Sequence, residues 1–144
     1  MPWANELKVD KSIIEVIEMA PCNSPKDYVK NHGWVLISFH NALWQMLKAK
    51  SPAQAIEETI YCGGDTDTNA AICGALLGAI FGRKSMPRQW EECILSCKPE
   101  KGAPGVYRPR PKEYWPTEIL NFAHTLLLND FTAAKKSSER ILSN

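Results

Sequence analysis

The stretch GGDTDTNAAICGALLGAIFG, from Gly63 to Gly82, joins an acidic turn to a long run of small and apolar residues. Small side chains repeat at every fourth position, so they form rows along the sides of a helix. One row is Ala70, Gly74, Gly78 and Gly82, and its neighbour is Ala71, Ala75 and Ala79. Because glycine inside a helix costs about 1 kcal/mol relative to alanine, the repeated glycines indicate close packing against other helices. The run is apolar all round, which predicts a helix that is buried at the centre of the fold.

An acidic turn leads into this helix. Gly63 and Gly64 permit unusual backbone angles, which would let the carboxylates of Asp65 and Asp67 converge with the hydroxyl of Thr68. Oxygen ligands of this kind suit Mg²⁺, Mn²⁺ or Ca²⁺ rather than zinc. Aspartate and threonine are also favoured at the start of a helix, where they cap free N–H groups. The residues themselves leave both interpretations open, and one carboxylate can cap while the other reaches a cation.

Composition limits the class of protein. The 144 residues suffice for one domain with a core, and the formal net charge of +1 gives no electrostatic reason to expect a nucleic acid or membrane partner. The apolar run at 70–81 is too short to span a bilayer, and the first ten residues do not read as a signal peptide. The five cysteines are an odd number with no Cys-x-x-Cys pair, which favours a reducing, cytoplasmic setting.

Elsewhere the sequence predicts further helices and no strands. Helical spacing and capping signals place them after Asp10, within Gly33 to Lys50, at Pro52 to Tyr61, at Pro87 to about Cys97 and at Pro116 to Leu128, and a polar amphipathic segment from Thr132 to Leu142 closes the chain. Lys98 to Trp115 contains four prolines and two glycines, so it reads as an extended loop. His40 lies on an amphipathic helix and reads as structural, and Glu57 and Glu58 read as a solvated face. The fold class is all-α.

The signature resembles that of a known family. Gly-Gly-Asp-Thr-Asp-Thr, followed by Asn-Ala-Ala-Ile-x-Gly-Ala-Leu-Leu-Gly-Ala, is similar to the signature of the ADP-ribosylglycohydrolase family, also called the dinitrogenase-reductase-activating glycohydrolase family. The flanking Gly33-Trp34-Val35 and Met86-Pro87 agree with it, and the likeness runs from about Asp27 to Leu128. It implies a compact orthogonal helical bundle around the small-residue helix, as one domain over residues 1–144 with a core at about 27–128.

The resemblance also implies a chemistry. Family members hydrolyse ADP-ribose glycosidic bonds in ADP-ribosylated proteins or related compounds, using two Mg²⁺ or Mn²⁺ ions. The family's ligands in this signature fall on Asp65, Asp67 and Thr68. No catalytic acid or base and no substrate-binding residue is nominated by the resemblance.

Full members carry two further segments, Gly-Asp-Ala-x-Gly and Thr-Asp-Asp, and neither occurs here. The likeness is therefore to the C-terminal part of the domain, a partial ADP-ribosylglycohydrolase fold. Three functions follow as alternatives: an enzyme completed by a chain that carries the missing half, a non-catalytic remnant that binds ADP-ribose or a protein, and a helical interaction module whose acidic turn is only a cap. Without the other half, one face of the central helix should be poorly covered, which favours self-association or a complementing chain.

Overall fold

Helices make up the regular structure, as the sequence predicts. The computed structural model describes residues 6–128, and this part of the chain contains no β-strand. It divides into two compact units, Met1–Pro87 and Arg88–Asn144. The first contains α1 (Lys11–Met19), α2 (Val35–Lys48), α3 (Pro52–Tyr61), α4 (Thr66–Phe81) and a 3₁₀ turn (Arg83–Ser85). The second contains α5 (Arg88–Leu95), two 3₁₀ turns (Lys112–Tyr114 and Pro116–Glu118) and helical residues 119–128.

The helices of the first unit begin where capping residues satisfy their free N–H groups. Asp10 precedes α1 and its carboxylate accepts from the backbone N–H of Ser12 at 2.9 Å. The Ser51 hydroxyl accepts from the N–H of Gln54 at 3.2 Å. The Gln54 side chain returns to the N–H of Lys50 at 3.2 Å, rather than to Ser51 as in a standard capping box. These local signals explain why the predicted helix starts are confirmed.

The α4 helix is the centre of the first unit, and both α2 and α3 pack against it. Ala55 of α3 forms a fully buried cluster with Cys73 and Leu77 of α4, and Met46 and Ala49 pack against this cluster. Gly74 faces α3, because an added Cβ would lie 3.3 Å from Cδ1 of Ile56. The close helix packing that the glycine row predicts is therefore present on this side.

Burial of α4 on every side, as its composition suggested, does not occur in the described structure. Asn69, Cys73 and Leu77 are its buried residues, one turn apart along one side. The second small-residue row is exposed, as are the large apolar side chains next to it; the exposed residues are Ala71, Ile72, Ala75, Ala79, Ile80 and Phe81. An apolar sequence shows only that burial of a helix would be favourable. Which sides are buried depends on the helices that pack against it. The predicted poorly covered face exists.

The second unit is described by itself. None of its residues in the range 88–128 is buried. The predicted loop is confirmed over most of its length, although it contains the short 3₁₀ turn Lys112–Tyr114. Hydrogen bonds close this loop on itself, from Arg110 N to the carbonyl of Pro99 and from Trp115 Nε1 to the carbonyl of Arg110, both at 2.9 Å. The amphipathic segment from Thr132 to Leu142 lies outside the described residues. The single domain over residues 1–144 stays a prediction.

Candidate metal centre

The chain passes from α3 into α4 through a turn that demands glycine. Gly63 and Gly64 have φ values of 75° and 73°, a left-handed conformation that other residues rarely adopt. Gly64 also lies directly against the peptide group of Tyr28. A Cβ at this position would overlap the Tyr28 carbonyl oxygen and would lie 2.8 Å from its carbonyl carbon. The Gly-Gly pair is thus required both for the backbone angles and for this close approach.

The turn is followed at once by the two predicted carboxylate residues, Asp65 and Asp67. Asp65 occupies the N-cap position of α4 with φ −82° and ψ 70°, and its side chain makes no capping hydrogen bond. Asp67 lies in the first helical turn. A hydrogen bond with the Asp65 carboxyl, followed by bonds from the backbone N–H groups of Thr68 and Asp67, holds the pKa of Asp67 below its ordinary value. Asp65 and Asp67 therefore both lie at the start of α4, and Asp65 does not act as a side-chain cap.

Thr68 lies on the same first turn and is exposed, as is Asp67. Asp65, Asp67 and Thr68 together offer hard oxygen donors, which fit part of the shell of a Mg²⁺ or Mn²⁺ ion. Within residues 6–128, no group of three or more His, Cys, Asp or Glu side chains is arranged to hold a metal ion. The turn thus provides an incomplete ligand set, and the metal role of these residues stays a prediction.

The remaining candidates lie away from this turn. Glu57 and Glu58 are exposed, and Glu58 accepts from the Gln54 side chain at 2.7 Å, so the solvated interpretation is confirmed. His40 is buried and its Nε2 lies 2.8 Å from the carbonyl oxygen of Asn23, in keeping with a structural role. A cleft of about 380 Å³ is lined by residues of α1, α2 and the loop between them, among them Val16, Trp34 and His40, but by none of the acidic turn.

A buried polar network behind the turn was missed by reasoning from the sequence. Tyr28 Oη donates to Oδ1 of Asn41 at 2.8 Å, and Nδ2 of Asn41 donates to Oγ1 of Thr59 at 2.9 Å. Ser38 Oγ donates to Oδ1 of Asn69 at 2.5 Å. The available signal was the placement of Ser38, Asn41 and Gln45 at helical spacing on an otherwise apolar helix. Polar side chains at such core positions usually have partners, and those of Ser38 and Asn41 lie in segments distant along the chain, whereas the buried Oε1 of Gln45 has no hydrogen-bond partner among the described residues.

All five cysteines are free thiols. Cys73 is buried, and burial raises the pKa of its thiol, an effect that a hydrogen bond with Thr59 opposes. Cys93 and Cys97 are exposed and belong to no group of metal-binding side chains in the described residues. Among residues 6–128, no helix has the length and apolar character needed to cross a membrane.

Comparison with known proteins agrees with the signature. The sequence pattern of the ADP-ribosylglycohydrolase family matches residues 3–107. The matched range begins earlier and ends earlier than the signature-based resemblance, which runs from about Asp27 to Leu128. No solved structure matches the chain significantly.

Three curated relatives are similar to parts of the chain. Protein L543 of Acanthamoeba polyphaga mimivirus, which carries the name of an ADP-ribosyl glycohydrolase, is 40% identical over 47% of this chain and 20% of its own length. ADP-ribosylarginine hydrolase Tri1 of Pseudomonas putida is 31% identical over 48% of this chain and 19% of its own. ADP-ribosylhydrolase ARH3 of Gallus gallus is 29% identical over 64% and 28%. The chain thus spans less than a third of the length of these relatives. Because the family pattern matches most of its residues, the chain belongs to the ADP-ribosylglycohydrolase family.

Proposed function

We propose that this chain contributes the Asp65, Asp67 and Thr68 ligands of a Mg²⁺ or Mn²⁺ site to an ADP-ribosylglycohydrolase. The observation that supports the proposal is the position of Asp65 and Asp67 at the start of α4, directly after the Gly63-Gly64 turn and within the part of the chain that matches the family. Two adjacent dications need more negative charge than two carboxylates supply. The complete pair therefore draws its other ligands from residues outside this turn, and the chain hydrolyses ADP-ribose bonds only when these are present.

The reaction is hydrolysis of the bond between the ribose anomeric carbon and the modified group. A water oxygen forms the new bond to that carbon, and the leaving atom of the modified group takes a proton. The bound metal would orient the ribose hydroxyls beside the scissile bond. Since one relative is named for ADP-ribosylarginine, an ADP-ribosylated arginine in a protein is the first substrate to test. The five free thiols support a reducing, cytoplasmic setting as part of the proposal.

Partner binding belongs to the same proposal. The uncovered side of α4 presents Ile72, Ile80 and Phe81 to solvent, at 38%, 49% and 53% exposure. Exposed apolar surface of this kind favours association with another protein surface. We propose a complementing chain that carries the remaining ligands as the partner, with self-association as the other outcome.

The metal site is tested by titrating the full chain with Mn²⁺ in a calorimeter. We expect weak binding that is lost in Asp67→Asn, because this substitution removes one of two carboxylate ligands. The matched control is Asp10→Asn, which neutralises another carboxylate at a helix start. Asp10 caps α1 by accepting from Ser12 and is not part of the proposed metal site. Equal Mn²⁺ binding by the wild type and Asp67→Asn would overturn the site.

Activity is measured as release of ADP-ribose from an ADP-ribosylated arginine protein in the presence of Mg²⁺. The chain alone should release little, and release should appear when a chain carrying the Gly-Asp-Ala-x-Gly and Thr-Asp-Asp segments is added. Efficient release by the chain alone, abolished by Asp67→Ala, would contradict the need for a complement.

A non-catalytic binding module is the second candidate. The observation in its favour is that the described residues hold no complete metal-binding group. This function predicts that ADP-ribose binds equally to the wild type and Asp67→Asn without metal, and that a complementing chain restores no release.

A further inference from the structure

The glycine turn that precedes Asp65 packs against the backbone peptide group of Tyr28. Gly64 packs so closely on the Tyr28 carbonyl that no side chain fits between them. Asp65 follows immediately and Asp67 lies one residue into α4. A shift of the Tyr28 backbone would therefore move the turn, and with it the separation of the two carboxylates. What holds Tyr28 in place thus bears directly on the geometry of the site.

The Tyr28 side chain is held from inside the core. Its ring is buried, and its hydroxyl donates to Oδ1 of Asn41 at 2.8 Å. Burial, with smaller contributions from Cys62 and Cys73, raises the pKa of Tyr28, so the phenol keeps its proton and stays a donor. Asn41 is 0% exposed and lies in the middle of α2. The peptide that supports the turn is thereby tied to a helix of the core.

The same asparagine reaches the other side of the turn. Asn41 Nδ2 donates to the Thr59 hydroxyl at 2.9 Å, and this hydroxyl donates to the Ala55 carbonyl at 2.7 Å. Thr59 lies in the last turn of α3, which ends at Tyr61, just before the Gly-Gly pair. Asn41 is therefore bonded both to the residue beneath the turn and to the helix that delivers the chain into it.

We infer that Tyr28 and Asn41 are positioning residues. Asn41 holds Tyr28, the peptide group of Tyr28 holds Gly64, and the position of Gly64 sets the separation of the Asp65 and Asp67 carboxylates. The inference rests on the proposed metal site for its functional consequence, although the positioning itself is a property of the metal-free chain. Ser38 supports it independently, because its bond to Asn69 fixes the first turn of α4 to α2. A buried network in which each polar group has a partner gives such a turn one defined geometry.

The first test removes one oxygen atom. Tyr28→Phe keeps the aromatic ring and the backbone carbonyl that Gly64 contacts, but it deletes the hydrogen bond to Asn41. The matched control is Tyr61→Phe, which deletes the hydroxyl of a tyrosine that is 87% exposed at the end of α3. In the metal-free protein, we expect amide hydrogen exchange at Asn69 and Ala70, the first amides of α4 with helical hydrogen bonds, to accelerate about tenfold in Tyr28→Phe, with the interior of α2 changing less. Unchanged exchange at these amides, or an equal rise throughout the first unit, would overturn the inference.

A second pair of variants protects the test against loss of folding in Tyr28→Phe. Thr59→Val keeps the shape of the side chain and removes the hydroxyl that Asn41 bonds, whereas Thr59→Ser retains the hydroxyl. Faster exchange at Asn69 and Ala70 in Thr59→Val, with near wild-type rates in Thr59→Ser, supports positioning by the network. The same rates in both variants would contradict it.

Mn²⁺ affinity separates this inference from the proposed function. If the wild type binds Mn²⁺ and Asp67→Asn does not, Tyr28→Phe should weaken binding several-fold and Tyr61→Phe should leave it unchanged. Equal affinity of Tyr28→Phe and the wild type would overturn the positioning role. If the wild type binds no Mn²⁺, the proposed metal site fails, and the exchange rates of the metal-free protein still decide the positioning.

Discussion

The two compact units of the chain differ in what holds them together. In the described range, every buried residue belongs to the first unit, where Leu77 is 1% exposed and Asn41 and Thr59 are 0% exposed. Residues 88–128 include no buried side chain and are held by local hydrogen bonds such as that from Trp115 to Arg110. Because stabilisation by apolar groups grows with the area removed from water, we expect stability to reside in the first unit, together with the family signature.

The largest effect should come from Gly64→Ala. The added methyl group would overlap the Tyr28 carbonyl, and the backbone would remain at a φ of 73° that alanine disfavours. We expect a loss of at least about 4 kcal/mol in the free energy of unfolding, measured by urea denaturation of the full chain. Gly82→Ala is the matched control, since Gly82 also has a left-handed φ of 77° but has no atom within 4 Å of an added Cβ. It should lose only about 1–3 kcal/mol, the cost of a non-glycine residue in its backbone conformation at φ 77° and ψ 159°. Equal losses would mean that the contact with Tyr28 does not constrain the turn.

An intermediate effect is expected from truncation of the core. Leu77→Ala should cost about 2–5 kcal/mol, because it removes a buried side chain and leaves a cavity between α4 and its neighbours. Ile94→Ala in α5 removes an apolar side chain that is 52% exposed, and should cost less than about 1 kcal/mol. Both free energies of unfolding are measured by urea denaturation. A comparable loss from Ile94→Ala would contradict the difference between the two units.

The smallest effect is expected at Asp10, the exposed cap of α1. Its hydrogen bonds with the Ser12 side chain and backbone lower its pKa from the ordinary value of an aspartate. A carboxyl with a lowered pKa in the folded state stabilises the protein above its unfolded pKa, and this contribution is lost as the pH falls through the folded value. Asp10→Ala should therefore lower the melting temperature slightly at pH 7, and the difference from the wild type should shrink below about pH 4. A difference that persists unchanged at pH 3 would show that the charge plays no part.

Local and long-range features of this protein differ in how far the sequence predicts them. Helix starts at Asp10 and Ser51 were predictable because each cap depends on residues two to three positions away. The close contact between Gly64 and the Tyr28 carbonyl was not predictable, because Tyr28 is remote from Gly64 along the chain. The same holds for the Tyr28–Asn41 and Ser38–Asn69 bonds, whose partners are 13 and 31 residues apart.

The candidate site divides in the same way. The sequence pointed to Asp65 and Asp67 because the Gly-Gly turn and the two carboxylates are adjacent, and the structure has the left-handed glycine turn followed by both residues at the start of α4. It also suggested full burial of α4, which failed because composition does not say which side of a helix has a neighbour. The side facing Ile56 is packed, whereas the side bearing Ala75 is open.

The hydrogen bond between Ser38 and Asn69 has a consequence for how α2 and α4 align. Sliding α4 along α2 by one helical turn, about 5.4 Å, would separate the Ser38 hydroxyl from the side-chain carbonyl of Asn69 and leave both groups buried without partners. The polar pair therefore favours one axial register of the two helices.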